Sequence, residues 1–215
     1  MAKAGYDKCY TRAYRSELTQ DENGVTIVAE CGIVATAQSR ILTLEVVYHI
    51  SPTGEITIKV KAQRPPHLPF LPRFGLRFFL NKANNQVEYF GYGEWESYID
   101  KHHLAKLGIY RLNARENHTD YLKPQENGSH FGTHYVKAQD LAIVAEQPFS
   151  FNLSSYTQEE LTTKTHSYEL QESDSTILCV DYKMSGIGSN SCGPSLKEQY
   201  RLNETNFEWL LKLSF

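Results

Sequence analysis

The chain has 215 residues, of which 40% are hydrophobic and 22% are charged, and its net charge is −3. These values are ordinary for a globular protein, and the length fits one all-β domain, so we predict a single domain over residues 1–215. A near-neutral chain without a run of basic residues is a poor match for nucleic-acid binding, and no apolar run approaches the roughly 20 residues that span a bilayer. The first 15 residues lack the apolar core of a secretory signal, so we predict a cytoplasmic protein.

The first half of the chain shows the two-residue period of β-strands. Residues 40–50 and 55–63 alternate between apolar and polar side chains, and the turn sequence Ser-Pro-Thr-Gly at 51–54 separates them. Leu42, Leu44 and Val46 would share one face of the first run. This pattern predicts an antiparallel hairpin with one buried side. A β-branched run at 24–35 follows the turn sequence Asn23-Gly24 and predicts an earlier strand.

The rest of the chain also reads mostly as strands. Residues 64–75 contain four prolines, which exclude a helix or a central strand and predict a rigid connection. Thr157 and Glu160 form a capping-box pattern that predicts a short helix, and a second short helical piece is predicted at 100–108. Further strands are predicted at 76–80, 86–93, 129–138, 140–146, 149–153, 176–182, 195–202 and 206–215. Many strands with little helix predict an all-β sandwich or barrel.

Several residue types are candidates for sites of chemistry. The four cysteines, Cys9, Cys31, Cys179 and Cys192, form no C-x-x-C pair and are predicted to be free thiols. The sequence Gly186-x-Gly188 lacks the downstream Gly-Lys-Ser/Thr of a phosphate-binding loop.

The histidines do not predict a metal site. His102 and His103 would point to opposite sides of an extended segment. His130 and His134 would lie about 13 Å apart along a strand, which is too far for one metal ion.

Acidic residues cluster in two places. Glu94, Glu96 and Asp100 lie close together in the sequence, and Glu126 lies in Lys-Pro-Gln-Glu-Asn-Gly. Glycosidic cleavage uses two carboxylates, but nothing in the sequence pairs these as acid and nucleophile. We therefore favour a structural role in which they bind loop N–H groups.

Five segments in order carry a resemblance to a known family. They are residues 71–78 (LPRFGLRF), 90–101 (FGYGEWESYIDK), 120–136, 149–170 and 181–196 (DYKMSGIGSNSCGPSL). Together they resemble the C-terminal, or small-chain, domain of the large bacterial β-galactosidases of glycoside hydrolase family two. The resemblance implies an antiparallel β-supersandwich of the galactose-mutarotase type.

The resemblance also implies a function shared with another part of the enzyme. In the family the two catalytic glutamates belong to a separate α/β-barrel domain or large subunit, which hydrolyses terminal β-D-galactosyl bonds such as that of lactose. The resemblance therefore predicts no catalytic residue in this chain. The complete enzyme is expected to need Mg²⁺ and Na⁺, with no ligand assignable to this chain. A loop of the small-chain domain closes one side of the substrate pocket, and here it comprises Gly186, Gly188, Ser189, Asn190, Ser191, Cys192 and Pro194.

Two features of that loop and of the chain depart from the family pattern. Many members have a tryptophan where Cys192 stands, so we expect sugar binding to differ from that of tryptophan-bearing relatives. Residue 1 corresponds to a position inside the family domain, after its first strands, so we expect an N-terminally truncated piece of a larger enzyme. Sheet edges left unpaired in this way would favour homo-oligomers.

Two alternatives from other functional classes stay open on the sequence. An aldose mutarotase-like enzyme would need a histidine acid, His130 or His134, near a carboxylate base, Glu126 or Glu94. A carbohydrate-binding module would bind sugar on an exposed aromatic ring, with Trp95 as the candidate.

Overall fold

The computed structural model describes residues 1–188 and 193–215. In these residues antiparallel strands dominate, and the prediction of an all-β, antiparallel fold is confirmed. The strands are β1 (Cys9–Asp21), β2 (Gly24–Ala35), β3 (Leu42–Ile50), β4 (Ile56–Gln63), β5 (Arg73–Asn81), β6 (Gln86–Gly93), β7 (Lys106–Asn113), β8 (Ser129–Ala138), β9 (Leu141–Ser154), β10 (Ser175–Met184) and β11 (Asn206–Ser214). Helical structure consists of α1 (Gln158–Thr163) and the 3-10 helices Ala2–Ala4, Tyr6–Lys8, Ser167–Glu169 and Glu198–Tyr200.

The predicted hairpin and the predicted capping box are both confirmed. β3 and β4 pair antiparallel with Val46 opposite Val60, and both side chains are buried. Thr157 caps α1, because its hydroxyl accepts a hydrogen bond from the Glu160 N–H at 3.1 Å.

Two predicted elements are wrong. Residues 195–202 form no strand and instead contain the 3-10 helix Glu198–Tyr200, where the Tyr200 carbonyl accepts a bond from the Gly186 N–H. Residues 100–108 form no helix, since the segment turns at 103–104 and enters β7 at Lys106. So short a segment gains too few intrahelical bonds to offset the cost of nucleation.

The chain divides into two compact units. The first comprises residues 1–71, 143–146 and 202–215, and the second comprises residues 72–142 and 147–201. In the first unit the strands follow the order β1-β2-β3-β4-β11. Its core includes Ile58, Val60, Trp209 and Leu211, all buried.

The second unit holds the segments that carry the family resemblance, apart from Leu71. β6 pairs with both β7 and β8, and β10 pairs with β5 on one side and β9 on the other. Tyr89, Phe151, Ile177 and Leu178 are fully buried in this unit. Because β10 is flanked on both edges and buried through its middle, it provides a fixed base for the loop that follows it. Among the described residues, no helix combines the length and the apolar character needed to cross a bilayer.

Candidate functional site

The predicted substrate-pocket loop leaves the end of β10. The Ser185 N–H donates to the Pro72 carbonyl and the Gly186 N–H donates to the Tyr200 carbonyl, each at 2.8 Å. Gly188 has a φ of +62°, a left-handed conformation that favours glycine. Pro194, on the return, is exposed. The other predicted loop residues, Ser189, Asn190, Ser191 and Cys192, lie outside the described residues.

Asp100 binds the first turn of this loop. Its Oδ1 accepts the Ile187 N–H at 3.1 Å, and its Oδ2 accepts the Gly188 N–H at 2.8 Å. A Cβ atom on Gly186 would lie 2.4 Å from the Asp100 carboxyl carbon, so position 186 accepts only glycine in this arrangement. Successive N–H groups of this kind bind anions, and here the anion is the chain's own carboxylate. The structural role predicted for Asp100 is thus confirmed.

A buried ion pair supports the end of β10. Arg73 donates from Nε to Asp181 Oδ1 at 2.9 Å, from Nη2 to Asp181 Oδ2, and from Nη1 to Glu126. Asp181 is only 2% exposed. Burial alone would lower the pKa of Arg73, but the Asp181 and Glu126 carboxylates outweigh it and hold that pKa well above its ordinary value. Gly75 in β5 lies opposite Asp181 in β10, and a Cβ atom on Gly75 would lie 2.4 Å from Asp181 Oδ1.

Glu96 is the second structural carboxylate predicted from the sequence, and this prediction is confirmed. Its Oε1 accepts from Lys101 at 2.7 Å and from Tyr121 at 3.0 Å, and its Oε2 accepts the Gly128 N–H at 2.9 Å. Burial alone would raise the pKa of Glu96, but the Gly128 N–H and the Lys101 ammonium outweigh it, so the pKa lies below its ordinary value. Glu96 therefore joins the 96–101 turn to the 121–128 segment.

His130 is buried and both of its ring nitrogens are hydrogen-bonded, which disfavours the mutarotase-like alternative. Its Nδ1 lies 2.8 Å from the Tyr89 hydroxyl and its Nε2 lies 2.8 Å from Asn117 Oδ1. The other candidate acid, His134, is exposed, and its ring lies tilted against Phe90 with the ring centroids 5.1 Å apart.

The two candidate carboxylate bases of the mutarotase-like alternative, Glu126 and Glu94, lie in different surroundings. Glu126 pairs with Arg73, while Glu94 lies exposed in a cleft. A histidine that reaches a sugar must present a free nitrogen at the surface, and His130 presents none.

The cleft that contains Glu94 lies beside Asp100. It encloses about 890 Å³ and is lined by Trp95, Asp100, His102, Leu104, Glu116 and Asp120, among others. Trp95 is 68% exposed, as the carbohydrate-binding alternative requires. His102 and His103 do not point apart as predicted, because the chain turns here and their rings stack at 4.9 Å.

The described His, Cys, Asp and Glu side chains were compared with the clusters that bind metal ions. Within residues 1–188 and 193–215, no group of three or more His, Cys, Asp or Glu side chains gathers as metal ligands would. Cys9, Cys31 and Cys179 are free thiols, as predicted, and Cys192 lies outside the described residues.

Sequence reasoning missed Arg73 and Asp181 as a pair and Asp100 as the residue that holds the loop. Asp181 did carry a signal, since a carboxylate within the apolar run 176–182 must find a buried partner. Its partner lies 108 residues away, and no local pattern identifies it. Asp100 had no signal beyond its place in a polar turn.

Comparison with known proteins identifies the family. The family model described as "Beta galactosidase small chain" matches residues 2–213. A protein of Actinobacillus pleuropneumoniae named β-galactosidase is 62% identical over 212 residues, which cover 99% of this chain and 21% of that protein. The β-galactosidase of Staphylococcus xylosus is 36% identical over 218 residues, which cover 100% of this chain and 22% of the relative. The β-galactosidase of Lactococcus lactis is 33% identical over 190 residues, covering 87% of this chain and 19% of the relative.

The chain thus spans about a fifth of the length of the curated relatives it matches. The match runs almost from end to end of the 215 residues, and it includes the segments that hold Arg73, Asp100, Glu126 and Asp181. The chain belongs to the β-galactosidase small-chain family.

Proposed function

We propose that this chain is the non-catalytic C-terminal part of a β-galactosidase that hydrolyses terminal β-D-galactosyl residues, including that of lactose. The observation that carries the proposal is the 62% identity, over 99% of this chain, to one fifth of a protein named β-galactosidase. We further propose a cytoplasmic location, which the free thiols Cys9, Cys31 and Cys179 support because that compartment keeps thiols reduced.

The partner in this proposal is the catalytic barrel of the same enzyme, as a fused domain or as a large subunit. Double displacement at a glycosidic bond uses two carboxylates as nucleophile and acid/base. Of the four acidic residues weighed from the sequence, Glu96, Asp100 and Glu126 are each engaged by N–H groups or cations of this chain. We therefore assign the bond-breaking carboxylates to the partner, together with the Mg²⁺ and Na⁺ sites.

The contribution of this chain to the substrate pocket would come from the loop after β10. Its first residues are held by the main chain at Pro72 and Tyr200 and by the Asp100 carboxylate. A loop fixed at its base can present its outer residues to a neighbouring domain at little entropic cost. We propose that residues 186–194 complete one wall of the galactoside pocket.

Reconstitution tests this proposal. The 215-residue chain and the remainder of the enzyme are produced as separate polypeptides and assayed with a chromogenic β-galactoside. We expect no turnover by either piece alone and turnover after mixing, with the rate saturating as this chain is added. Hydrolysis by the purified chain alone, in proportion to its concentration, would contradict the assignment of the catalytic carboxylates to the partner.

Sugar binding by the cleft beside Asp100 is a second candidate function, favoured by the exposure of Trp95. Aromatic rings bind the apolar face of sugars, and neighbouring carboxylates such as Glu94 accept sugar hydroxyls. Trp209 is 4% exposed and serves as an internal reference for fluorescence. We expect galactose to change the Trp95 emission saturably, and Trp95→Phe to abolish the change. A titration without any response would remove this candidate.

A further inference from the structure

Asp100 lies at the tip of a tightly fixed turn. Tyr98 and Lys101 exchange two main-chain hydrogen bonds, each 2.9 Å long, so that only residues 99 and 100 project between them. The Ser97 N–H donates to the Ser129 carbonyl at 2.7 Å, and Glu96 binds Lys101. The Asp100 carboxylate is therefore held by a rigid support before it meets the loop.

The contact with the loop uses the whole carboxylate. Each oxygen accepts one main-chain N–H, from Ile187 and from Gly188, and Gly186 packs against the carboxyl carbon without space for a side chain. Hydrogen bonds to an ionised acceptor are shorter and stronger than neutral ones, and a two-point contact fixes orientation as well as position. Ile187 is 46% exposed, so packing of its own side chain contributes little to holding this turn.

We propose that Asp100 is a positioning residue for substrate binding, because its carboxylate sets the direction in which residues 186–188 leave β10. The inference rests on the proposed role of that loop in the galactoside pocket. Asp100 itself is not placed in contact with the sugar.

The test uses the complete β-galactosidase that contains this chain and two variants at position 100. Asp100→Asn keeps the size of the side chain but offers one acceptor oxygen in place of two. Asp100→Glu keeps the charge but shifts the carboxylate by one methylene. The matched control is Asp120→Asn, which removes a charge from the same cleft. Asp120 pairs with His118 at 3.4 Å and has no described contact with residues 186–188.

Two measurements separate positioning from general stability. Hydrogen–deuterium exchange of the Ile187 and Gly188 amides is expected to be about tenfold faster in Asp100→Asn, and unchanged in the control. KM for a chromogenic galactoside is expected to rise by about threefold to tenfold, with a smaller change in kcat per folded enzyme. Asp100→Glu is expected to fall between the wild type and Asp100→Asn in both.

The outcomes distinguish this inference from the proposed function. If exchange at 187–188 does not change in Asp100→Asn, the inference is overturned while the proposed function stands. If exchange accelerates but KM stays constant, Asp100 holds a loop that does not serve the sugar, which overturns the inference and removes the loop from the proposed function. A loss of folded enzyme with constant KM would show a merely structural role and would also overturn the inference.

Discussion

At the scale of single residues, His130 shows how a polar core residue is fixed in one protonation state. The Asn117 amide nitrogen donates to the Gly128 and Leu153 carbonyls, so its Oδ1 must accept from His130 Nε2. His130 Nδ1 is then the acceptor of the Tyr89 hydroxyl proton. The neutral Nε2–H tautomer satisfies every partner, and a second proton on Nδ1 would break the bond to Tyr89.

This arrangement predicts a loss of stability in mild acid. Burial lowers the pKa of His130 from 6.5 to about 4, so between these values the unfolded chain binds a proton that the folded chain does not. The free energy of unfolding that the neutral His130 side chain contributes is complete above pH 6.5 and is lost as the pH falls towards 4. At about 1.4 kcal/mol per pH unit, it amounts to about 3 kcal/mol. Urea unfolding of this chain at a series of pH values measures it.

The matched variants are His130→Gln and His134→Gln. His130→Gln should reduce the slope of unfolding free energy against pH between 6.5 and 5, whatever its effect on stability at neutral pH. His134 is exposed, so its variant should keep the wild-type slope. A wild-type slope in His130→Gln would show that another group controls the acid sensitivity.

At the scale of elements, the strands that sequence reasoning found are those with one buried face. β6 and β8 were predicted with the bounds that they have, and in β6 every second residue from Val87 to Gly93 is buried. β1 and β7 were missed for physical reasons. All thirteen residues of β1 are exposed, and β7 has no buried residue and presents Leu107 and Ile109 outward, so apolar residues do not mark a buried face in either strand.

β1 is an edge strand with unusual exposure. It pairs along its length with β2, and in the part of the chain that the structure describes no strand pairs with its other edge. Tyr10, Tyr14 and Leu18 are 52%, 44% and 65% exposed. A long edge strand with free N–H and C=O groups and apolar side chains is a template for pairing with another chain.

We therefore expect the isolated 215-residue chain to self-associate through β1. Leu18→Lys should shift the oligomer towards monomer, because like charges repel where two edges would meet. Leu104→Lys, which adds the same charge at an 86% exposed site of the other compact unit, should leave the distribution unchanged. Sedimentation velocity at several concentrations reports both. Equal effects of the two variants would show that net charge, and not the β1 edge, governs association.

At the scale of the whole molecule, distant parts of the sequence are joined in one compact unit. β11 pairs with β4 from Leu213 opposite Ile56 to Asn206 opposite Gln63. The buried Arg64 guanidinium donates to the Asn203 carbonyl at 2.8 Å. None of these contacts could be predicted from the sequence, because the period of a strand shows which face is buried but not which strand lies beside it.

This topology predicts that the first unit cannot fold without its last strand. β11 buries four large side chains, Phe207, Trp209, Leu211 and Leu213. At about 1.5–3 kcal/mol each, they contribute about 6–12 kcal/mol, which equals most of the 5–15 kcal/mol that stabilises a typical domain. Removal of residues 206–215 also leaves the paired edge of β4 open. We expect that variant to lose the part of the thermal transition, measured by circular dichroism, that the first unit contributes, whereas removal of Phe215 alone, which is 73% exposed, should shift the transition little. A transition of wild-type midpoint and wild-type amplitude in the longer deletion would show that β1 to β4 fold without β11.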